Sequence, residues 1–141
     1  MNYEDTLKVG AKVYNVGFVE LGGKYYELNN DGTVDFNAGD NELQGGYDED
    51  GNPIEATDVI YLDFGKCVIL PNTSARTVTL TDGSTYVYSY EVYSPLNAKK
   101  YKMLPKEGNK VWITKKDGTI DKAVEVKGFV TYKKRYLKIW L

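Results

Sequence analysis

The densest group of side chains that could bind a metal ion is Asp48-Glu49-Asp50 with the following Gly51 and Asn52. Clustered carboxylates suit Ca²⁺, and the EF-hand loop requires a glycine at its sixth position and a glutamate at its twelfth. Counted from Asp48, these positions hold Pro53 and Val59, so the calcium motif fails. We therefore expect a solvated polar turn here and no metal site.

Side chains suited to catalysis are sparse. The sequence contains no histidine, which removes the commonest general base and every Ser-His or Cys-His nucleophile pair. The single cysteine, Cys67, begins the apolar run Cys67–Leu70, and we expect a buried, inert thiol. Gly22-Gly23 lacks the lysine and helix of a phosphate-binding loop. We predict that the protein is not an enzyme and binds no cofactor.

Basic and aromatic side chains interleave near the C-terminus, where Lys133-Lys134-Arg135 lies among Tyr132, Tyr136 and Trp140. This mixture can contact phosphates and stack on bases. The chain nevertheless carries a net charge of −2 and no RNA- or DNA-binding signature. We expect a surface that can lie close to DNA without reading its sequence; lysines that only blunt a strand edge are the alternative.

Charge is divided between the two halves of the chain. Residues 1–65 hold 14 acids and three bases, whereas residues 66–141 hold 15 bases and six acids. A folded protein with an acidic and a basic region can associate with copies of itself, or can place its basic region against a polyanion. The charge distribution therefore points to assembly more than to chemistry.

The pattern of residues predicts an all-β fold. Asp-Gly pairs at 31–32, 82–83 and 117–118, each between alternating apolar residues, are strong hairpin signals. The predicted hairpins join Lys24–Leu28 to Val34–Phe36, Arg76–Leu80 to Thr85–Tyr93, and Lys110–Thr114 to Ile120–Val130. Further strands are predicted at Lys12–Leu21, Asp58–Phe64, Cys67–Leu70 and Arg135–Leu141. The expected architecture is a small antiparallel β-barrel or sandwich of the SH3 or OB type, in one domain over 1–141.

Two short segments, Tyr3–Val9 and Pro95–Met103, are the candidates for helix. Residues 37–57 are rich in Gly, Asp, Asn and Glu and too poor in apolar side chains to form a core, so we predict a long acidic arm or loop. No apolar run reaches the roughly 18 to 20 residues that cross a bilayer, and no signal peptide is visible. The sequence predicts no membrane partner and assembly in the cytosol.

The second half of the chain resembles a known family. From about Val59 to Leu141 a strand pair ends in Leu70-Pro71, a hairpin leads to Tyr88–Tyr93, and Leu104–Ile113 carries a Pro…Gly…Val-x-Ile entry into a strand. Val126–Phe129 and the terminal apolar strand Leu137–Leu141 follow. This order is similar to that of the small β-barrel neck proteins of tailed bacteriophages, the head-completion, head-closure or head–tail connector proteins.

The resemblance implies a virion component, assembled in the host cytoplasm, that forms a homo-oligomeric ring between portal and tail. Its implied partners are copies of itself and neighbouring portal, adaptor and tail proteins. A capsid decoration or tail-tube subunit would share the same features. A monomeric, tyrosine-rich module that binds glycans or peptides is the alternative from a different class.

The residues expected at interfaces follow from these patterns. A ring requires one surface to meet a different surface of the next copy, and surfaces of opposite charge favour that arrangement. On the basic side we predict Lys99, Lys100, Lys133, Lys134 and Arg135. On the acidic arm we predict Asp40, Glu42, Asp48, Glu49 and Asp50. The aromatic contributors are expected to be Tyr47, Tyr136 and Trp140.

Overall fold

The computed structural model describes residues 2–14, 17–36 and 56–141, and they form an antiparallel, all-β structure. The strands are β1 (Asp5–Tyr14), β2 (Phe18–Leu21), β3 (Lys24–Leu28), β4 (Val34–Asp35), β5 (Ala56–Pro71), β6 (Thr77–Thr79), β7 (Thr85–Val87), β8 (Tyr90–Pro95), β9 (Lys110–Thr114), β10 (Asp121–Glu125), β11 (Gly128–Tyr132) and β12 (Tyr136–Trp140). A 3₁₀ helix spans Ala98–Met103.

Strand β1 is the centre of the sheet because it pairs with three other strands. One edge of β1 pairs with β5 along its whole length. The other edge pairs with β9 over Thr6–Val9 and with β2 over Lys12–Tyr14. Gly10 lies between these two partners, and a Cβ atom there would lie 2.6 Å from the carbonyl oxygen of Lys110. A glycine is therefore needed where β9 and β2 diverge.

Strand β5 links two parts of the sheet. Its first part pairs with β1, and its last four residues, Val68–Pro71, pair with β8. Between them, Phe64 is an extra residue opposite the Leu7-Lys8 step, and Gly65 has φ +139. A β-bulge of this kind bends the strand. The two pairings can consequently lie on one continuous strand.

Across the described residues the hydrogen-bonded order is β11-β12-β8-β5-β1-β2-β3-β4, with β9 and β10 branching from β1. This order ends at β11 and at β4 and does not return on itself. The hairpin β6–β7 forms a separate two-stranded sheet. The prediction of an antiparallel all-β fold is thus confirmed.

The core lies where the inward faces of these strands meet. Leu7, Val9 and Ala11 point inward from β1 at alternate positions, as the two-residue period of a strand requires. The terminal segment contributes Leu137, Ile139 and Leu141, each with 0% exposure. The sequence predicts the alternation of these last three residues, and the apolar end of the chain is held inside the fold.

Three predicted elements differ from the structure. Tyr3–Val9 was a candidate helix but mostly belongs to β1, because its alternating side chains fill the core. Predicted strand Thr85–Tyr93 is divided into β7 and β8, since Ser89 and Tyr90 donate their N–H groups to the carbonyl oxygen of Leu141. Predicted strand Ile120–Val130 is divided into β10 and β11, which pair with β9 and β12 respectively.

Other boundaries shift without changing the pattern. Lys12–Leu21 is divided between β1 and β2, whereas Asp58–Phe64 and Cys67–Leu70 join in the single strand β5. The predicted helix over Pro95–Met103 begins only at Ala98, because Pro95 pairs with Tyr136 in the sheet. Most of the predicted acidic arm, residues 37–55, lies outside the described residues, and its last two residues begin β5.

Candidate functional site

The outer face of the sheet β5-β8-β12-β11 is unusual because it is rich in apolar and aromatic side chains. An antiparallel sheet with one solvated face normally carries polar residues there. Here the register places apolar or aromatic side chains at most outward positions of the four strands. Those side chains are Val68, Leu70, Tyr93, Pro95, Val130, Tyr132, Tyr136 and Trp140. We call this surface the aromatic face.

Several of these side chains are solvent-accessible although they are large. Leu70 is 39% exposed and Tyr132 is 38% exposed, and the other six are half-buried. Tyr132 stacks on Tyr136 with 4.7 Å between ring centroids, and Tyr136 lies 6.0 Å from Tyr93. Contiguous exposed apolar surface of this kind marks interaction sites. The face can therefore bind a partner by burying aromatic rings.

One charged pair lies in the middle of the aromatic face. Nζ of Lys138 is 3.8 Å from Oε1 of Glu91 and lies over the rings of Tyr93 and Trp140, at 5.3 and 4.9 Å from their centroids. Burial by itself lowers the pKa of Lys138, but its hydrogen bond to Tyr93 and the charge of Glu91 raise it overall. Lys138 thus stays protonated at neutral pH and is already paired within the chain.

The turn between β11 and β12 places three basic residues at one end of the aromatic face. Lys133 and Lys134 have φ values of +48 and +59, a left-handed conformation that non-glycine residues rarely adopt. The turn is closed by a 2.8 Å hydrogen bond from the N–H of Arg135 to the carbonyl oxygen of Tyr132. The fold keeps lysines at positions where Asn-Gly is favoured, so these basic side chains are held at a conformational cost.

The other two predicted basic residues lie at the same end. Leu96 donates its N–H to the carbonyl oxygen of Arg135, which places the 3₁₀ helix beside the turn. In that helix Lys99 is exposed, and Lys100 donates to the carbonyl oxygen of Pro95 and lies over the ring of Phe64. The five predicted residues Lys99, Lys100, Lys133, Lys134 and Arg135 thus lie in two segments that the Leu96–Arg135 hydrogen bond joins, and Lys99 also lines a cleft with Asp35 and Phe36. We call this group the basic end.

The basic end carries five positive charges, and none of its members is within ion-pair distance of a carboxylate in the described residues. Elsewhere, lysines of the second half neutralise acids of the first half. Lys115 lies 3.8 Å from Asp5, and Lys116 lies 3.4 Å from Glu4. The division of charge seen in the sequence is thus partly lost around β1 and β9 and is retained at the basic end.

The charge division is also retained along the order of strands. Residues 127–141, which include β11 and β12, contain five bases and no acid. Residues 17–36, which include β2, β3 and β4, contain four acids and one base. The two terminal strands of the hydrogen-bonded order therefore belong to segments of opposite charge.

Of the remaining predicted interface residues, the structure describes two. Tyr136 and Trp140 lie on the aromatic face, Trp140 at the end flanked by the β6–β7 hairpin. The predicted acidic residues Asp40, Glu42, Asp48, Glu49 and Asp50, with Tyr47, lie outside the described residues.

Sequence reasoning missed several members of the face, namely Tyr93, Tyr132, Leu70, Val68 and the Glu91–Lys138 pair. Tyr93 and Glu91 fall at alternate positions of one strand, and Tyr136, Lys138 and Trp140 fall at alternate positions of another. These patterns identify the outward side chains. They do not reveal that β8 and β12 are neighbours, because that pairing joins residues more than 40 positions apart.

Two observations on the part of the chain that the structure describes concern metal binding and the single thiol. No group of three or more Asp, Glu or Cys side chains there is arranged to hold a metal ion. Cys67 has 0% exposure, and its burial raises the pKa of its thiol to about 12.

Within residues 2–14, 17–36 and 56–141, no helix has the length and apolar character needed to span a membrane.

Comparison of the chain with protein-family models, with curated proteins and with solved structures found no match in any of the three.

Proposed function

We propose that this protein is a non-enzymatic structural subunit that assembles with copies of itself through the aromatic face and the basic end. The observation that carries the proposal is the aromatic face, whose outward side chains are mostly apolar or aromatic across four neighbouring strands. Buried aromatic residues supply most of the affinity of protein interfaces. Charged residues at the rim mainly steer and orient the contact.

The distribution of charge favours a contact between unlike surfaces. A two-fold dimer through the basic end would bring ten positive charges together, five from each copy. A contact between the basic end of one copy and an acidic surface of the next avoids this repulsion, and such heterologous contacts generate rings when they close. A ring subunit is therefore the form of assembly that we propose.

Within this class, the proposed role is that of a neck protein of a tailed phage, a head-completion or connector protein between portal and tail. The support is the similarity of residues 59–141 to that family in the order of their segments. A small β-barrel of the SH3 or OB type, assembly in the host cytoplasm, and contacts with portal, adaptor and tail proteins belong to the same proposal. A basic end near DNA in the completed particle is compatible with it.

A second candidate function is a glycan- or peptide-binding module. The stacked, partly exposed rings of Tyr132 and Tyr136 favour it. Titration against glycan and peptide arrays separates the two functions, because only a binding module should give saturable signals with its isolated monomer.

The test of the proposal is a triple charge reversal, Lys133→Glu, Lys134→Glu and Arg135→Glu. We expect the variant to keep the wild-type circular dichroism spectrum and to sediment as a smaller species than the wild-type chain at equal concentration. Reversal of Lys110, Lys116 and Lys122, three exposed lysines on the β9–β10 hairpin, is the matched control. Equal assembly by the basic-end variant and wild type would contradict the electrostatic part of the proposal.

A further inference from the structure

Strand β5 has a long open edge. One of its edges pairs with β1, and the opposite edge pairs with β8 over Val68–Pro71. In the described residues, no strand pairs with residues 56–64 on that second edge. The N–H of Val59 instead donates a 2.7 Å hydrogen bond to the carboxylate of the adjacent Asp58. An open edge of this length can pair with a strand from another chain.

Strand β11 has an open edge as well. It pairs with β12 on one side, and no strand among the described residues pairs with it on the other. Two of the four exposed large apolar side chains in the described residues belong to this short strand, Phe129 at 39% and Tyr132 at 38% exposure. They are three positions apart and so lie on opposite faces of the strand. Apolar surface is therefore exposed on both faces of the sheet beside this edge.

The two open edges are complementary in their apolar side chains. On β5, Ile60 and Leu62 pack against the core, so the alternate residues Val59 and Tyr61 lie on the outward face. One antiparallel alignment of β5 with β11 sets outward residues against outward residues and inward against inward. Its pairs are Val59 with Tyr132, Tyr61 with Val130, and Leu62 with Phe129. Cross-strand pairs of aromatic and β-branched side chains stabilise a sheet.

The two edges are also complementary in charge. Asp58 and Asp63 are exposed on β5, and residues 56–65 contain no base. Lys133 and Lys134 follow β11 and are exposed. None of these four side chains is within ion-pair distance of an opposite charge in the described residues. The same antiparallel alignment sets Asp58 opposite Lys133, and opposite charges at that position favour this register.

We propose that the open edge of β5 in one copy of the chain pairs antiparallel with the open edge of β11 in the next copy. The contact joins two different surfaces, so it repeats from copy to copy and generates a ring when it closes. It continues the sheet from one copy into the next and covers Phe129 and Tyr132. The inference rests on the proposed self-assembly and specifies one of its contacts.

The direct test is a chain with two added cysteines, Val59→Cys and Tyr132→Cys. Opposed residues of an antiparallel pair have Cα atoms about 4.5 to 5.5 Å apart, a separation that a disulfide can span. Oxidation of the assembled variant should give a ladder of covalent multimers on a non-reducing gel, because each copy is linked to two neighbours. The native Cys67 has 0% exposure and is shielded from the reaction.

The matched control combines Val59→Cys with Val87→Cys, since Val87 is 55% exposed on β7 and lies outside both edges. This control should give no ladder, and neither should either single variant of the test pair. A ladder that is equally strong in the control would overturn the inference, because it would reflect random collision of exposed thiols.

An exchange of charges tests the register. Asp58→Lys and Lys133→Asp should each weaken assembly about tenfold, because two like charges then face each other. The chain that carries both substitutions restores an opposite pair and should assemble nearly as wild type. Lys122→Asp, an exposed position of β10, should leave assembly unchanged. A double variant with the wild-type circular dichroism spectrum that assembles no better than the single variants would contradict the register.

The outcomes for the two proposals are distinguishable. If the wild-type chain assembles but the variant with Val59→Cys and Tyr132→Cys forms no ladder, the contact lies elsewhere, and the proposed function stands without it. If the wild-type chain keeps the mass of one copy at every concentration, the proposed function and this contact are both contradicted.

Discussion

At the scale of single residues, Asp5 joins three parts of the fold through its two carboxylate oxygens. Oδ2 accepts a 2.9 Å hydrogen bond from the N–H of Ile69 in β5. Oδ1 accepts a 2.9 Å hydrogen bond from the N–H of Lys116 in the β9–β10 turn. The side chain of Asp5 is buried, so loss of the carboxylate removes the partner of the buried N–H of Ile69 and of the partly buried N–H of Lys116.

We predict that Asp5→Ala lowers the free energy of unfolding by about 3 kcal/mol, since hydrogen bonds to charged groups contribute roughly 1.5 to 3 kcal/mol each and a buried donor left alone is costly. Chemical denaturation followed by tyrosine and tryptophan fluorescence measures the change. Glu4→Ala is the matched control, because Glu4 forms an exposed ion pair with Lys116 and should change stability by less than about 1 kcal/mol. Equal effects of the two substitutions would contradict this role for Asp5.

Three hairpin turns share the sequence Asp-Gly-Thr or Asp-Gly-Ser, and the aspartate has the same role in each. Its Oδ1 accepts hydrogen bonds from the N–H and the hydroxyl of the Thr or Ser two residues on. These bonds lower the pKa of the three aspartates, Asp31, Asp82 and Asp117, below 3.8. Their stabilisation is therefore complete above the unfolded-state pKa and is lost as the pH falls through the folded-state value.

We accordingly predict a decrease in melting temperature as the pH falls below about 4.5, because the three carboxylates then become protonated first in the unfolded state and afterwards in the folded state, where their pKa is lowered. Asp82→Ala should melt below wild type at pH 7, and the difference should shrink across that range. Thermal unfolding at a series of pH values measures both. A difference that stays constant with pH would show that ionisation of Asp82 does not contribute.

At the scale of elements, the β11–β12 hairpin combines a strained turn with two exposed charges. We predict that Lys133→Asn with Lys134→Gly stabilises the monomer by about 1 kcal/mol, because the left-handed conformation costs an ordinary residue roughly 1 to 2 kcal/mol and Asn-Gly adopts it readily. The same variant should assemble less well, since it removes two charges of the basic end. Denaturation and sedimentation measure the two effects separately.

If this turn served folding alone, a substitution that raises the stability of the monomer would not weaken its assembly. A variant that is more stable and assembles as well as wild type would contradict a role of these lysines in binding. The stability measurement is itself the control, because loss of folding cannot explain weaker assembly by a more stable chain.

The sequence predicts local elements of this fold better than their partners. The hairpins at Asp31-Gly32 and Asp117-Gly118 and the alternation of Leu137, Ile139 and Leu141 follow from turn chemistry and strand period. The division of Thr85–Tyr93 into two strands does not, because it depends on the carbonyl oxygen of Leu141 at the distant end of the chain. The sequence likewise predicts only some residues of the aromatic face, because β5, β8 and β12 become neighbours only through long-range pairing.

At the scale of the whole molecule, charge and apolar surface occupy neighbouring parts of one sheet. The basic end lies at the turn between the same strands that expose Tyr132 and Tyr136. The acidic strands β3 and β4 lie at the other terminus of the hydrogen-bonded order. The 3₁₀ helix nevertheless brings Lys99 and Lys102 to the cleft lined by Asp35 of β4. In the proposed assembly, the turn at Lys133–Arg135 is therefore the part of the basic end that would meet a different surface of the next copy, as a ring requires.

Self-assembly is tested by the native mass of the wild-type chain, measured by sedimentation velocity over a wide range of concentrations. We predict a concentration-dependent shift from a single chain to one defined assembly of more than two copies. A mass equal to one chain at every concentration would contradict the claim that the aromatic face and the basic end form a self-assembly interface.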